Sequence, residues 1–162
     1  VIKHFLDSLS YLKGFTPTPS LRLLDMGSGA GFPAVPIKIV HPELSVTMVE
    51  AVNKKASFLR HIIRTLKLSD IVVVDKRTGE LQPSYHQSYD VVTARAFADM
   101  KAALTEGATF LKPRGLMVLS RGPEETMEEG TALKAGLTAE TRQELRLPHS
   151  NDPRALWVFR KM

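Results

Sequence analysis

The chain has 162 residues, 43% hydrophobic and 24% charged, with a formal net charge of +5. That is the length and composition of one ordinary globular domain, and the basic excess favours polyanionic partners. The absence of cysteine excludes disulfides, thiolate metal sites and a cysteine nucleophile; with no membrane-length apolar run and no signal-peptide pattern, a cytoplasmic protein without membrane contact is expected.

Ile2, Phe5, Leu6, Leu9 and Leu12 recur at helical spacing, Gly14 is a stop, and Thr16–Ser20 reads as a loop. Residues 1–20 are thus expected to be a helix and linker within a single domain spanning 1–162. The stretch Leu23-Leu24-Asp25-Met26-Gly27-Ser28-Gly29-Ala30-Gly31-Phe32-Pro33 follows. It reads as an apolar strand ending in a carboxylate, a glycine-rich turn, and a proline suited to a first helical turn. A short helix over 34–40 leads to a strand over 45–49, with Glu50 at its carboxyl end. Asn53 is placed to cap the next helix. Leu59, Ile62, Ile63 and Leu66 predict its buried face, with Lys54, Lys55, Arg60, Arg64 and Lys67 mostly opposite.

Ile71–Val74 is wholly apolar, as in a strand buried in a parallel sheet. A turn at 77–80, a polar loop over 82–89 and a strand over 90–93 come next, with Arg95 just past the strand end. Asp99 can start a helix reaching about residue 111, which Lys112-Pro113-Arg114-Gly115 breaks before a strand over 116–119. Glu124, Glu125, Glu128 and Glu129 suit the solvated face or the first turn of a helix. Strands over 141–147 and 156–160 close the chain as a hairpin. Strands alternating with helices argue a doubly wound α/β domain with an antiparallel edge, its ligand lying across the carboxyl ends of the strands.

The turn is spaced G-x-G-x-G. A dinucleotide fingerprint would need glycine at Phe32, so no pyrophosphate is implied, and S-adenosylmethionine fits better than NAD. Glu50, 23 residues after Gly27, can accept hydrogen bonds from both ribose hydroxyls of a nucleoside. Asp25 either holds the turn by accepting main-chain N–H bonds or meets the amino group of the cofactor's methionine portion. Thr78 and Gly79 lie where main-chain N–H groups could read an adenine edge, or are a simple turn. Arg95 can bind a phosphate or an acceptor base, or is a surface residue. Without cysteine, C5 methylation of a pyrimidine through a thiolate is excluded. An Asn- or Asp-Pro-Pro-aromatic motif for exocyclic amines is absent, and the five histidines have no metal spacing.

Residues Asp25–Pro33 with Pro36-Ile37-Lys38-Ile39 resemble the bacterial ribosomal small-subunit methyltransferase G family, also called glucose-inhibited division protein B. His4-Phe5-Leu6-Asp7-Ser8, Lys54-Lys55 with Phe58-Leu59, and Arg95-Ala96-Phe97-Ala98 resemble it too. The resemblance implies a Rossmann-like class I SAM-dependent methyltransferase fold, with a mostly parallel seven-stranded sheet and an antiparallel C-terminal hairpin. It implies methylation of guanine N7 in 16S rRNA using S-adenosylmethionine; the expected partner is 16S rRNA or a 30S particle, and a monomer is expected. Carried over residue by residue, it implies cofactor contacts at Gly27 and Phe32, adenine contacts at Thr78 and Gly79, and a site arginine at Arg95; the reading of the residues themselves adds Asp25, Ser28, Gly29 and Glu50 to the expected cofactor site. The expected substrate-RNA residues are Arg95, Arg121, Lys54 and Lys55, with no catalytic group beyond positioning. Three departures stand out: Arg121 replaces the family's lysine, Glu50 stands where aspartate is also common, and the family's N-terminal helical region is expected to be missing. A small-molecule methyltransferase and a non-catalytic RNA-binding module of the same fold are the alternatives.

Overall fold

The computed structural model describes residues 1–162. Its strands are β1 (Arg22–Met26), β2 (Ser45–Val49), β3 (Ile71–Val74), β4 (Tyr89–Arg95), β5 (Leu111–Arg121), β6 (Leu137–Arg146) and β7 (Pro153–Lys161). They form one seven-stranded sheet in the order β3-β2-β1-β4-β5-β7-β6. The first five strands pair in parallel, and β7 runs antiparallel between β5 and β6. The mostly parallel α/β sheet with an antiparallel closing hairpin is therefore the observed fold. The helices are α1 (Ile2–Ser10), α2 (Ala34–Val40), α3 (Asn53–Thr65), α4 (Met100–Phe110) and the single turn α5 (Thr131–Lys134).

Side-chain alternation explains why the central strands are apolar at nearly every position. Leu23, Val46, Val91 and Val118 point to one face and pack with Tyr11, Ile37 and Leu59. Their neighbours Leu24, Val92 and Leu119 point to the other and pack with Met100, Leu104 and Phe110 of α4. Both faces are covered, so both sets must be hydrophobic. Each such side chain, fully buried, contributes roughly 1.5–3 kcal/mol.

Several local expectations are corrected. β3 is an edge strand: Ile71 is buried but Val72 is 55% exposed, because no strand lies beyond it. On α3 only Ala56 and Leu59 are fully buried, and Leu66 is largely exposed at the helix end. Val52, not Asn53, is the N-cap of α3, without a side-chain cap bond. α1 buries Asp7, Ser8 and Ser10, while Ile2 and Phe5 of its apolar row are exposed. The glutamate-rich segment forms turns, and only Thr131–Lys134 is helical there. β5 begins at Leu111, ahead of the expected break; the break survives as a shift of pairing from Tyr89↔Leu111 to Val91↔Leu116. β6 and β7 each start earlier than expected, since polar residues on an exposed face carry little hydrophobic signal.

The strand order reverses between β1 and β4, and at such a switch point the carboxyl ends leave a crevice. Met26–Gly27, Val49–Glu50 and Arg95 surround it.

Candidate functional site

The turn after β1 is held from beneath by Asp25. Its carboxylate is wholly buried, accepting from Ser28 Oγ at 2.6 Å and Thr93 Oγ1 at 2.7 Å. Burial pushes its pKa up to about 7, against the pull of the two hydroxyls and of Arg95. Of its two expected roles, the structure realises the brace, through hydroxyls rather than main-chain N–H groups. Gly31, at φ +94°, needs glycine doubly: a Cβ would lie 2.7 Å from Val35 and 3.1 Å from Leu59. That contact seats α2 and α3 against the turn. Pro33 caps α2 rather than occupying its first turn.

Glu50 ties the turn to the end of β2. One carboxylate oxygen accepts from Gly29 N–H at 2.9 Å and the other from Val52 N–H at 3.0 Å. The residue is 6% exposed. It lines two cavities that meet at Gly27 and Glu50. The first, about 460 Å³, is walled by Val49, Thr78, Gly79, Phe97 and Glu106 among others. Thr78 is fixed there by donating from its hydroxyl to Glu106 of α4. At Gly79 no heavy atom lies within 4 Å of where a Cβ would stand, so the wall is open. The second cavity, about 540 Å³, is walled by His4, Ser28, Phe32, Lys55, Arg95 and Ala96. The structure thus gathers Gly27, Ser28, Gly29, Phe32, Glu50, Thr78, Gly79 and Arg95 around one continuous crevice. Asp25 lies beneath it.

Arg95 ends β4 rather than following it. Its guanidinium donates to His4 Nδ1 at 2.8 Å, lies 3.3 Å from Asp7 Oδ2, and sits 5.8 Å from the Phe32 ring centre. Asp7, only 3% exposed, also meets Arg154 at 3.4 Å and accepts from Ser120 Oγ at 3.2 Å. Arg95 is therefore an anchored cation, not a free surface arginine. Beside it Tyr11, fully buried, donates to Ala94 O at 2.9 Å, and burial pushes its pKa upward.

Arg121 has a different employment from the RNA contact expected of it. It donates to the carbonyls of Ala98 at 3.2 Å and Phe97 at 3.0 Å, and only 9% of its side chain is exposed. It thereby clamps the loop whose Phe97 ring faces Gly27. Lys54 and Lys55 are exposed at the start of α3, and only Lys55 borders the crevice. Arg60 is held by Asp75 at 3.5 Å. Individual reading of the residues passed over His4, Asp7, Phe97 and Glu106. Asp7 had no local signal, since it lies on the helix face opposite the apolar row and reads as solvated; Glu106 had none either, since only the fold brings α4 to Thr78.

A family model described as rRNA small subunit methyltransferase G (GidB) matches residues 1–157. The chain belongs to this family. A relative from Roseiflexus castenholzii named "Ribosomal RNA small subunit methyltransferase G" is 50% identical over 125 residues, which is 71% of this chain and 53% of that protein. One of the same name from Chloroflexus aggregans is 37% identical over 166 positions, covering 99% of this chain and 69% of that protein. The chain thus spans between about half and two thirds of the length of these relatives. Among solved structures, YcgJ from Bacillus subtilis superposes with a TM-score of 0.72 at 16% identity, covering 98% of each chain. TYW2 from M. jannaschii, solved in complex with AdoMet, gives 0.73 at 15% identity, covering 99% of this chain and 75% of that one. These likenesses establish the fold.

Proposed function

We propose that this chain transfers a methyl group from S-adenosylmethionine to N7 of a guanine in 16S ribosomal RNA, acting as a monomer in the cytoplasm on naked RNA or a 30S particle. The observation that carries the reading is the pair of cavities meeting at Gly27 and Glu50 in the switch-point crevice of a chain of this family. The residues fit the cofactor. Glu50 spends one lone pair of each oxygen on the main chain, which leaves acceptor capacity for two ribose hydroxyls. Thr78 and the open wall at Gly79 suit a flat purine in the first cavity. The exposed Gly27 and half-buried Gly29, with no side chain in the way, suit the methionine portion at the junction. Asp25, sealed below, holds the turn without touching a ligand.

Bound there, S-adenosylmethionine supplies an electrophilic methyl on a sulfonium. Guanine N7 would take that methyl through a ring lone pair as the C–S bond breaks and the neutral thioether leaves, and it has no proton to lose, so no general base is required. The chain's task is alignment, which can supply on the order of 7–11 kcal/mol of the barrier. Phe32 and Ala96 wall the acceptor cavity, while Arg95, fixed by Asp7, presents a cation to the incoming RNA. Lys54 and Lys55 add charge for its backbone.

The reading is tested by incubating the protein with methyl-labelled cofactor and small-subunit particles from cells that lack the modification. Label in 16S rRNA supports it. Label only in small metabolites favours a small-molecule methyltransferase, and RNA binding without transfer favours a non-catalytic module.

A further inference from the structure

The acceptor cavity carries an aromatic cluster with an unused donor. The His4 ring lies 5.5 Å from Phe32 at 31°, and Phe5 meets Phe32 edge-on at 5.4 Å and 84°. Arg95 sits over the same Phe32 ring. His4 Nδ1 receives a hydrogen bond from the Arg95 guanidinium at 2.8 Å. A guanidinium has only donors, so Nδ1 must be the bare nitrogen and neutral His4 carries its proton on Nε2. Asp7, itself held by Arg154 and Ser120, fixes Arg95 and through it this tautomer. Nε2–H has no partner in the protein, and His4 is exposed where it borders the cavity.

We infer that His4 reads the target base as guanine, by donating from Nε2–H, in the plane of its ring, to O6 of a base that meets the imidazole edge-on in the cavity beside Phe32. This rests on the function proposed above. The Hoogsteen edge of guanine offers two acceptors, N7 and O6, whereas adenine puts an amino donor in place of O6. N7 must stay free to attack, so one donor aimed at O6 marks guanine without blocking the reaction. Adenine at the same place sets donor against donor. Stacking alone accepts any base and gives no such choice.

The test uses wild type, His4→Phe and His4→Gln, with cofactor affinity measured by calorimetry for each. The acceptor is small-subunit RNA carrying, at the mapped methylation site, either guanosine or 2-aminopurine riboside, which keeps N7 and lacks O6. Comparing the guanosine/2-aminopurine ratio of single-turnover rates between proteins cancels the intrinsic reactivity difference of the two bases. The expected result is a ratio roughly 3- to 10-fold smaller in His4→Phe, the worth of one neutral hydrogen bond. His4→Gln, whose amide can accept from Arg95 and donate to O6, should recover part of it. An unchanged ratio in His4→Phe overturns the inference while leaving the methyltransferase reading intact. Cofactor binding by wild type without transfer to any RNA overturns that reading, and the inference with it.

Discussion

Replacing Glu50 by alanine separates the structural from the ligand-binding role of the residue at the junction of the two cavities. Two effects are expected, and they differ in size and in assay. Removing the carboxylate strands the N–H groups of Gly29 and Val52, which it receives at 2.9 and 3.0 Å. A buried orphan donor costs about 1–3 kcal/mol. Val52 is 49% exposed and Gly29 half-buried, so water can serve both in part, and the combined loss of stability is about 2 kcal/mol. Each hydrogen bond from ribose to a charged group is worth roughly 1.5–3 kcal/mol, so losing both costs about 3–6 kcal/mol, or at least about a 150-fold rise in Kd. Urea unfolding reads the first effect, and calorimetric titration with S-adenosylmethionine well below the melting temperature reads the second. Glu50→Gln retains one acceptor oxygen and should fall between. A Glu50→Ala protein that remains folded and binds the cofactor within twofold of wild type would make Glu50 a brace of the turn alone.

Arg95→Ala should lower single-turnover methyl transfer far more than it lowers stability. Some stability is still lost, about 1–2 kcal/mol, because buried Asp7 keeps only Arg154 as a charged partner; Arg95→Lys should regain stability but not full activity, and wild-type transfer by Arg95→Ala would refute the assignment. Asp25 binds its proton more tightly in the folded state, with a pKa of about 7 against an unfolded 3.8. Its contribution is therefore present at low pH and lost as pH rises from about 4 to about 7, by up to about 4 kcal/mol. Asp25→Asn should flatten the pH dependence of urea unfolding in that window, and equal slopes in the two proteins would contradict the burial argument. Lys54, Lys55 and Arg64, exposed on α3, should each contribute up to about 0.9 to the salt slope of RNA binding. An unaltered slope in the triple glutamine variant would leave that face merely solvated.

The architecture was readable because both faces of the central strands are buried, which forces apolar runs such as Leu23-Leu24 and Val91-Val92 into the sequence. The turn was readable because steric exclusion at Gly31 leaves no substitute for glycine. The glutamate-rich segment misled for the opposite reason: acidic residues suit a helix's first turn and a solvated loop equally. Edges were least legible. β3 has the composition of a central strand yet lies outermost, because strand order depends on long-range pairing rather than on local composition. Within the site, Glu50 and Arg95 were found by their place after strands. The ionic anchoring of Arg95 was not, since Asp7 lies 88 positions away in the chain and meets it only when α1 docks. The setting of Arg121 was not legible because a sequence gives an arginine's charge but not the direction of its guanidinium, which here turns inward to Phe97 and Ala98.

The most direct measurement is to locate the methyl group itself. Small-subunit RNA is treated with the protein and S-adenosylmethionine, reduced with borohydride, cleaved with aniline at N7-methylguanosine, and read by primer extension. The account predicts one new stop at a guanine of 16S rRNA, dependent on cofactor and absent with Arg95→Ala. Label incorporated without such a stop would mean that the methyl lies on another atom, and would contradict a site that works by aligning a bare ring nitrogen.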